Sequence, residues 1–144
     1  MKKSVLAIAF VSILGLLVAA CSSKTASNGS IPSGKTIKAV TVGNLTATLS
    51  NSTGQLKPGD QEVMLVFTGP SGKPVDISAM SLNFHMDQMG TMAAMNDAVS
   101  FTTTSTPGVC RGKVNIEVAG EWQGQLAYEG PAGSGKTTFT VTAQ

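Results

Sequence analysis

Residues 75–86 read VDISAMSLNFHM, and their alternation decides the fold. Met80, Leu82, Phe84 and Met86 fall on one side of an extended chain, and Ser81, Asn83, His85 and Asp87 on the other. Apolar residues at every second position describe a strand with one buried face, because successive side chains of a strand point to opposite faces. The same period recurs on both sides of this stretch. Ile37, Ala39 and Thr41 alternate with Lys38 and Val40, and Leu45, Ala47 and Leu49 alternate with threonines. Residues 62–68, EVMLVFT, form a denser apolar run of the kind a central strand carries.

Downstream, residues 98–104 (AVSFTTT), 113–119 (KVNIEVA), 122–128 and 137–143 complete the set. Turn clusters separate these runs: NSTG, KPGD, GPSGKP, STPG, AGE and GPAGSG. Many short Thr- and Val-rich strands at regular spacing predict an all-β, immunoglobulin-like antiparallel sandwich of about seven strands. No stretch after residue 20 has helical amphipathicity, with the methionine segment as the one candidate exception.

The N-terminal residues set the expected compartment. Lys2 and Lys3 precede an uncharged apolar run from Ser4 to Ala20, too short for a stable membrane span, and Leu17-Val18-Ala19-Ala20-Cys21 follows the pattern of a bacterial lipobox. Residues 1–20 are thus expected to be a lipoprotein signal peptide, with Cys21 as the lipid-bearing N-terminus; an ordinary secretory signal with an incidental cysteine is the alternative. Acylation anchors a protein to a membrane surface without spanning it. The expected location is the cell envelope, extracytoplasmic: the outer membrane in a Gram-negative cell, the outer face of the cytoplasmic membrane in a Gram-positive one. Residues 21–34, CSSKTASNGSIPSG, are too polar to build a core and are expected to act as a flexible tether. Residues 35–144 are the length of one small domain.

The chain has 10 basic and 8 acidic residues; removal of Lys2 and Lys3 leaves 8 of each. With no basic stripe and no interleaving of Lys/Arg with aromatics, no nucleic-acid partner is expected. Of two cysteines, Cys21 is assigned to lipid, so Cys110 has no partner for an internal disulfide. A lone cysteine is commonly buried and inert; Cys110 is kept as an additional candidate ligand.

Five of the seven methionines lie in residues 80–95: Met80, Met86, Met89, Met92 and Met95, with His85, the only histidine, beside Met86. Thioether sulfur is a soft ligand that selects Cu(I), and it has no proton to lose. Met80 reads first as a core residue, Met86 as either core or ligand, and Met89, Met92 and Met95 as lying beyond the strand around Gly90. Steps of three drift around a helix, so a hairpin or folded loop converges these sulfurs better. The candidate metal set is His85, Met86, Met89, Met92 and Met95, with Met80 and Cys110 as additional candidates. The competing reading is an adaptable apolar patch for a protein partner, with His85 simply exposed.

Residues 59–90, GDQEVMLVFTGPSGKPVDISAMSLNFHMDQMG, resemble the YtkA-like domain family, whose relatives include FixH-like proteins. The matching pieces are the turn Gly69 to Val75, the methionine loop Met86 to Gly90, Gly108-Val109-Cys110 and Gly120-Glu121-Trp122. The resemblance covers most of residues 37–143. It implies an exported immunoglobulin-like sandwich found in copper and respiratory-oxidase contexts, and with it a protein partner in copper transfer or oxidase assembly. Asp87 and Gln88 stand where the family has a proline, and Cys110 where it has an aromatic residue.

Residues 130–137, GPAGSGKT, fit the phosphate-loop pattern letter for letter. That motif needs a preceding strand, a following helix and a parallel sheet; here a terminal strand follows, and no nucleotide partner is expected. One histidine without an acid pair assembles neither a triad nor a hydrolytic zinc site. The expectation is a non-catalytic, lipid-anchored Cu(I)-binding protein acting in copper buffering, delivery or tolerance. The alternative is a metal-free interaction module that contacts a membrane or respiratory complex.

Overall fold

The computed structural model describes residues 34–144. The expected signal peptide, the expected lipid-bearing Cys21 and all of the expected tether but Gly34 therefore lie outside the described residues. Nine strands and no helix are found among the described residues: β1 Lys35–Val42, β2 Leu45–Asn51, β3 Gly59–Thr68, β4 Ala79–Met86, β5 Met95–Ala98, β6 Ser100–Thr103, β7 Val109–Ile116, β8 Gly120–Gly130 and β9 Gly133–Ala143. They form two antiparallel sheets, ordered β1-β2-β3-β7-β6 and β5-β4-β8-β9. The predicted immunoglobulin-like sandwich is what the chain adopts.

Alternation builds the core as the sequence implies. Leu82, Phe84 and Met86 of β4 are buried, as are Trp122, Gly124, Leu126 and Tyr128 of β8, and Leu65 and Phe67 of β3. Leu82 is paired with Leu126 in the ladder. Trp122 is fully buried, and its indole N–H donates to the Val118 carbonyl at 3.1 Å, so no polar atom is stranded. The Phe67 and Tyr128 rings, one from each sheet, pack with centroids 5.4 Å apart at 49°, an arrangement aromatic pairs favour.

Three strand boundaries differ from the sequence reading. Residues 75–78 lie outside β4: Val75 donates instead to the Phe67 carbonyl at 2.9 Å, and Ser78 to that of Glu129 at 2.8 Å. Residues 98–104 are not one strand but two. Val99, buried between them, donates to Leu82 of β4 at 2.9 Å, and from Ser100 the chain pairs with β7 in the other sheet. Finally, Met95 opens a strand of its own. The split of residues 98–104 adds one strand to the eight runs of the sequence, giving nine where about seven were expected. Residues 130–137 form the tight β8–β9 hairpin, with Gly130 paired to Gly133.

The sandwich has two unlike ends. β4 and β7 finish, and β3 and β8 begin, at the end carrying the methionine hairpin: a Cβ at Gly120 would stand 3.2 Å from Met86 Cε, and Asp97 accepts from the Glu117 amide at 3.2 Å. The opposite end holds the turn after β3 and the β8–β9 hairpin.

Candidate functional site

The methionine segment is a β-hairpin. β4 and β5 pair with Met86 opposite Met95, His85 opposite Asn96 and Phe84 opposite Asp97. Further out, Met89 and Met92 exchange both backbone hydrogen bonds, 3.1 Å for the Met89 amide and 2.9 Å for the Met92 amide. Only Gly90 and Thr91 lie between them. Two-residue hairpin turns demand a positive φ at the first central position, which favours glycine; Gly90 supplies it at +56°.

Directly opposite residues of an antiparallel pair project to the same face, and in a hydrogen-bonded pair their Cα atoms are about 5.5 Å apart. The Met89 and Met92 thioethers therefore share one face at the tip. They are the exposed large apolar side chains of the described residues, at 60% and 44%. Met86 is buried at 4% and Met95 is half-buried against the core. Counting outward from His85 in steps of two gives Asp87 and Met89, and the His85–Asp87 contact shows that the first step keeps to the outer face. Met86 and Met95 are in register with the core, and Met89 and Met92 form a separate bridge three residues further out.

His85 is held at both ring nitrogens. Nδ1 lies 2.9 Å from Asn96 Oδ1, and Nε2 lies 2.9 Å from Asp87 Oδ1. Both partners accept, since Asn96 Oδ1 also takes a hydrogen bond from Asn83 Nδ2 at 3.1 Å. Two acceptors call for two N–H donors, which is the imidazolium form. The pKa of His85 is raised accordingly, first by the Asn96 hydrogen bond and then by the Asp87 hydrogen bond and charge. In this state neither nitrogen offers a lone pair to a metal. The Asp87 side chain is 93% exposed, so rotation of that carboxylate into water, together with loss of the Nε2 proton, would free that nitrogen.

Two candidate residues are not brought to the hairpin. Met80 sits at the other end of β4, opposite Tyr128, half-buried against the core and lining a shallow groove with Tyr128 and Lys136. Six residues of strand at about 3.3 Å each put it roughly 20 Å from Met86. Cys110 lies at the start of β7 in the opposite sheet, between Leu65 and Thr103, while the other end of β7 approaches the hairpin. It is buried, and burial, then the Asp76 charge, raises its pKa; a protonated thiol is a poor metal ligand. Among the described residues no three His, Cys, Asp or Glu side chains gather as a metal site, so the soft thioether pair is the ligand chemistry on offer at the tip.

Alternation alone does not mark β5, so it does not show Asn96 as a partner of His85. The spacing carried a signal: Met86/Met95 and Met89/Met92 are nested symmetrically about Gly90-Thr91, as a hairpin with a glycine-led two-residue turn requires.

Neither the search of curated proteins nor that of solved structures gave a match. The family model for YtkA-like domains matches residues 39–127, from β1 into β8 and through the methionine hairpin. That match spans more than half of the 144 residues, and the chain belongs to the YtkA-like family.

Proposed function

We propose that this chain is an exported lipoprotein, anchored through Cys21, whose sandwich binds Cu(I) through the methionine hairpin in copper buffering, delivery or tolerance. The observation that carries this reading is the cross-strand pair Met89–Met92, two exposed thioethers fixed side by side by reciprocal backbone hydrogen bonds. Two such sulfurs suit the low coordination numbers of Cu(I), with His85, once deprotonated and released by Asp87, as a third donor from the same hairpin. Met86 and Met95 form the next pair inward, already engaged in the core. The role is binding and transfer, not catalysis.

The same exposed pair favours a second reading, a metal-free contact surface, because methionine side chains adapt to partners. Titration of the purified domain with Cu(I) against a chromophoric chelator separates the two. Competitive binding that is lost when Met89, Met92 and Met95 are changed together to Leu supports the copper site. Wild-type protein that never competes with the chelator leaves the contact surface.

A further inference from the structure

The hairpin tip offers a soft ion two donors, Met89 and Met92. Every other candidate donor in the hairpin is committed. Met86 is buried and Met95 is packed against the core. Both ring nitrogens of His85 are held by acceptors that keep them protonated. A thioether is neutral and a weak acceptor, so two of them hold an ion less firmly than a fuller shell would. A closed-shell d10 ion sets no electronic preference against that fuller shell.

The shape of the tip leaves room for further donors. Residues 87–94 are exposed without a break. A Cβ built on Gly90 would meet nothing within 4 Å, so the turn projects clear of its own sandwich. The residues around the two sulfurs are small: Gly90, Thr91, Ala93 and Ala94. Between His85 and Asp97 the one charged side chain is Asp87, and it is paired with the His85 imidazolium. The tip is thus narrow, near neutral and rich in soft sulfur, and it can face its own copy without charge repulsion. A two-fold axis sets the same patch of both chains together, and at this patch it gathers four thioethers.

Such a contact is too small to hold by itself. A stable interface engages about 20–30 residues and about 800 Å² on each partner, far more than residues 87–94 supply. Behind each tip stand the carboxylates of Asp97, Glu117 and Glu121, which oppose any closer approach of the two sandwiches. Association therefore waits on the ion that both tips bind.

We infer that a soft monovalent ion is held between two copies of this chain, by Met89 and Met92 of each, in a tip-to-tip pair that forms only with the ion. The inference rests on the copper reading above and adds its stoichiometry, one ion to two chains. Departure of one copy strips half of the donors in a single step, which gives release a trigger that a one-chain site lacks. Ag(I), a soft ion that needs no reductant, is the probe. The full chain carries Cys110→Ala, which removes the thiol of the sandwich, and any free Cys21 thiol is alkylated. It is titrated with silver nitrate and followed by sedimentation velocity and native mass spectrometry. The expected product is two chains with one ion, saturating at half an ion per chain and dispersed by a soft chelator. Met89→Leu/Met92→Leu is expected to abolish it with the unfolding midpoint unchanged. Thr91→Arg keeps both sulfurs but sets a cation at the turn; it is expected to give one chain with one ion, bound about tenfold more weakly. One ion per monomeric chain with both methionines and Thr91 in place overturns the shared site and leaves the copper reading standing. Chains that pair without silver, or a complex indifferent to Met89→Leu/Met92→Leu, overturn the ion-bridged tip. A chain that binds no silver at all removes the reading on which the inference rests.

Discussion

The imidazole of His85 and the carboxylate of Asp87 meet at 2.9 Å at the end of β4, while Asn96 holds the other ring nitrogen at the same distance. The histidine's pKa is raised above its ordinary value, so the protonated ring is favoured by folding. The stability it contributes is complete below the unfolded imidazole pKa of about 6.5 and is lost as pH rises through the higher folded value. Melting temperatures of wild type and His85→Gln, measured across that range, should differ most on the acid side and converge on the alkaline side. A gap that widens with rising pH would contradict the imidazolium assignment.

On the copper reading proposed above, the tip methionines would carry affinity without carrying the fold. Met89→Leu/Met92→Leu is expected to weaken Cu(I) binding at least tenfold, about 1.4 kcal/mol, in chelator competition, with the unfolding midpoint unchanged. Met86→Leu, a nearly volume-conserving change in a buried position, should instead cost less than about 1.5 kcal/mol of stability, read from denaturant unfolding. An affinity loss from Met86→Leu as large as from the tip pair would place the site deeper in the hairpin.

Exposure also orders the methionines by oxidation. A peroxide converts thioether to sulfoxide at accessible sulfur first. Peptide mass spectrometry after brief treatment should therefore show oxygen added at Met89 and Met92 before Met86. Oxidation that reaches Met86 as quickly would mean the hairpin opens on that timescale.

Gly124 is a packing residue. It is paired with Phe84 on one side and Phe139 on the other, and an added Cβ would fall 2.4 Å from Phe139 Cζ. Gly124→Ala must displace that ring, and overpacking of this kind costs about 1–3 kcal/mol. Urea unfolding monitored by fluorescence of Trp122, two residues away, tests it, and a neutral effect would mean the ring turns aside freely.

The sandwich was legible because its evidence is local. Period-two alternation in residues 79–86 and 122–128 is written in the side chains themselves, and the core follows from it. What escaped was set by partners distant in sequence. Val99 still bonds to the Leu82 carbonyl of β4 while Ser100 already pairs with Lys113 of β7, and no pattern in AVSFTTT marks where the chain leaves one sheet for the other. The candidate site was half legible. Methionine spacing marked the segment, but only the hairpin register separates tip from core, and only the fold shows that Met80 and Cys110 sit elsewhere. Alternation turns His85 away from the core, as the fold does; its engagement with Asn96 depends on β5, which no alternation marks.

The reciprocal hydrogen bonds of Met89 and Met92 bear on speed as well as affinity. With the main chain already closed into its turn, capture of a soft ion freezes two side chains, at roughly 0.5–1.5 kcal/mol each, and orders no loop. Rotamer changes of exposed side chains take picoseconds to nanoseconds. The main chain would therefore add no slow step to the gain or surrender of an ion at the tip, the behaviour of a relay rather than a vault.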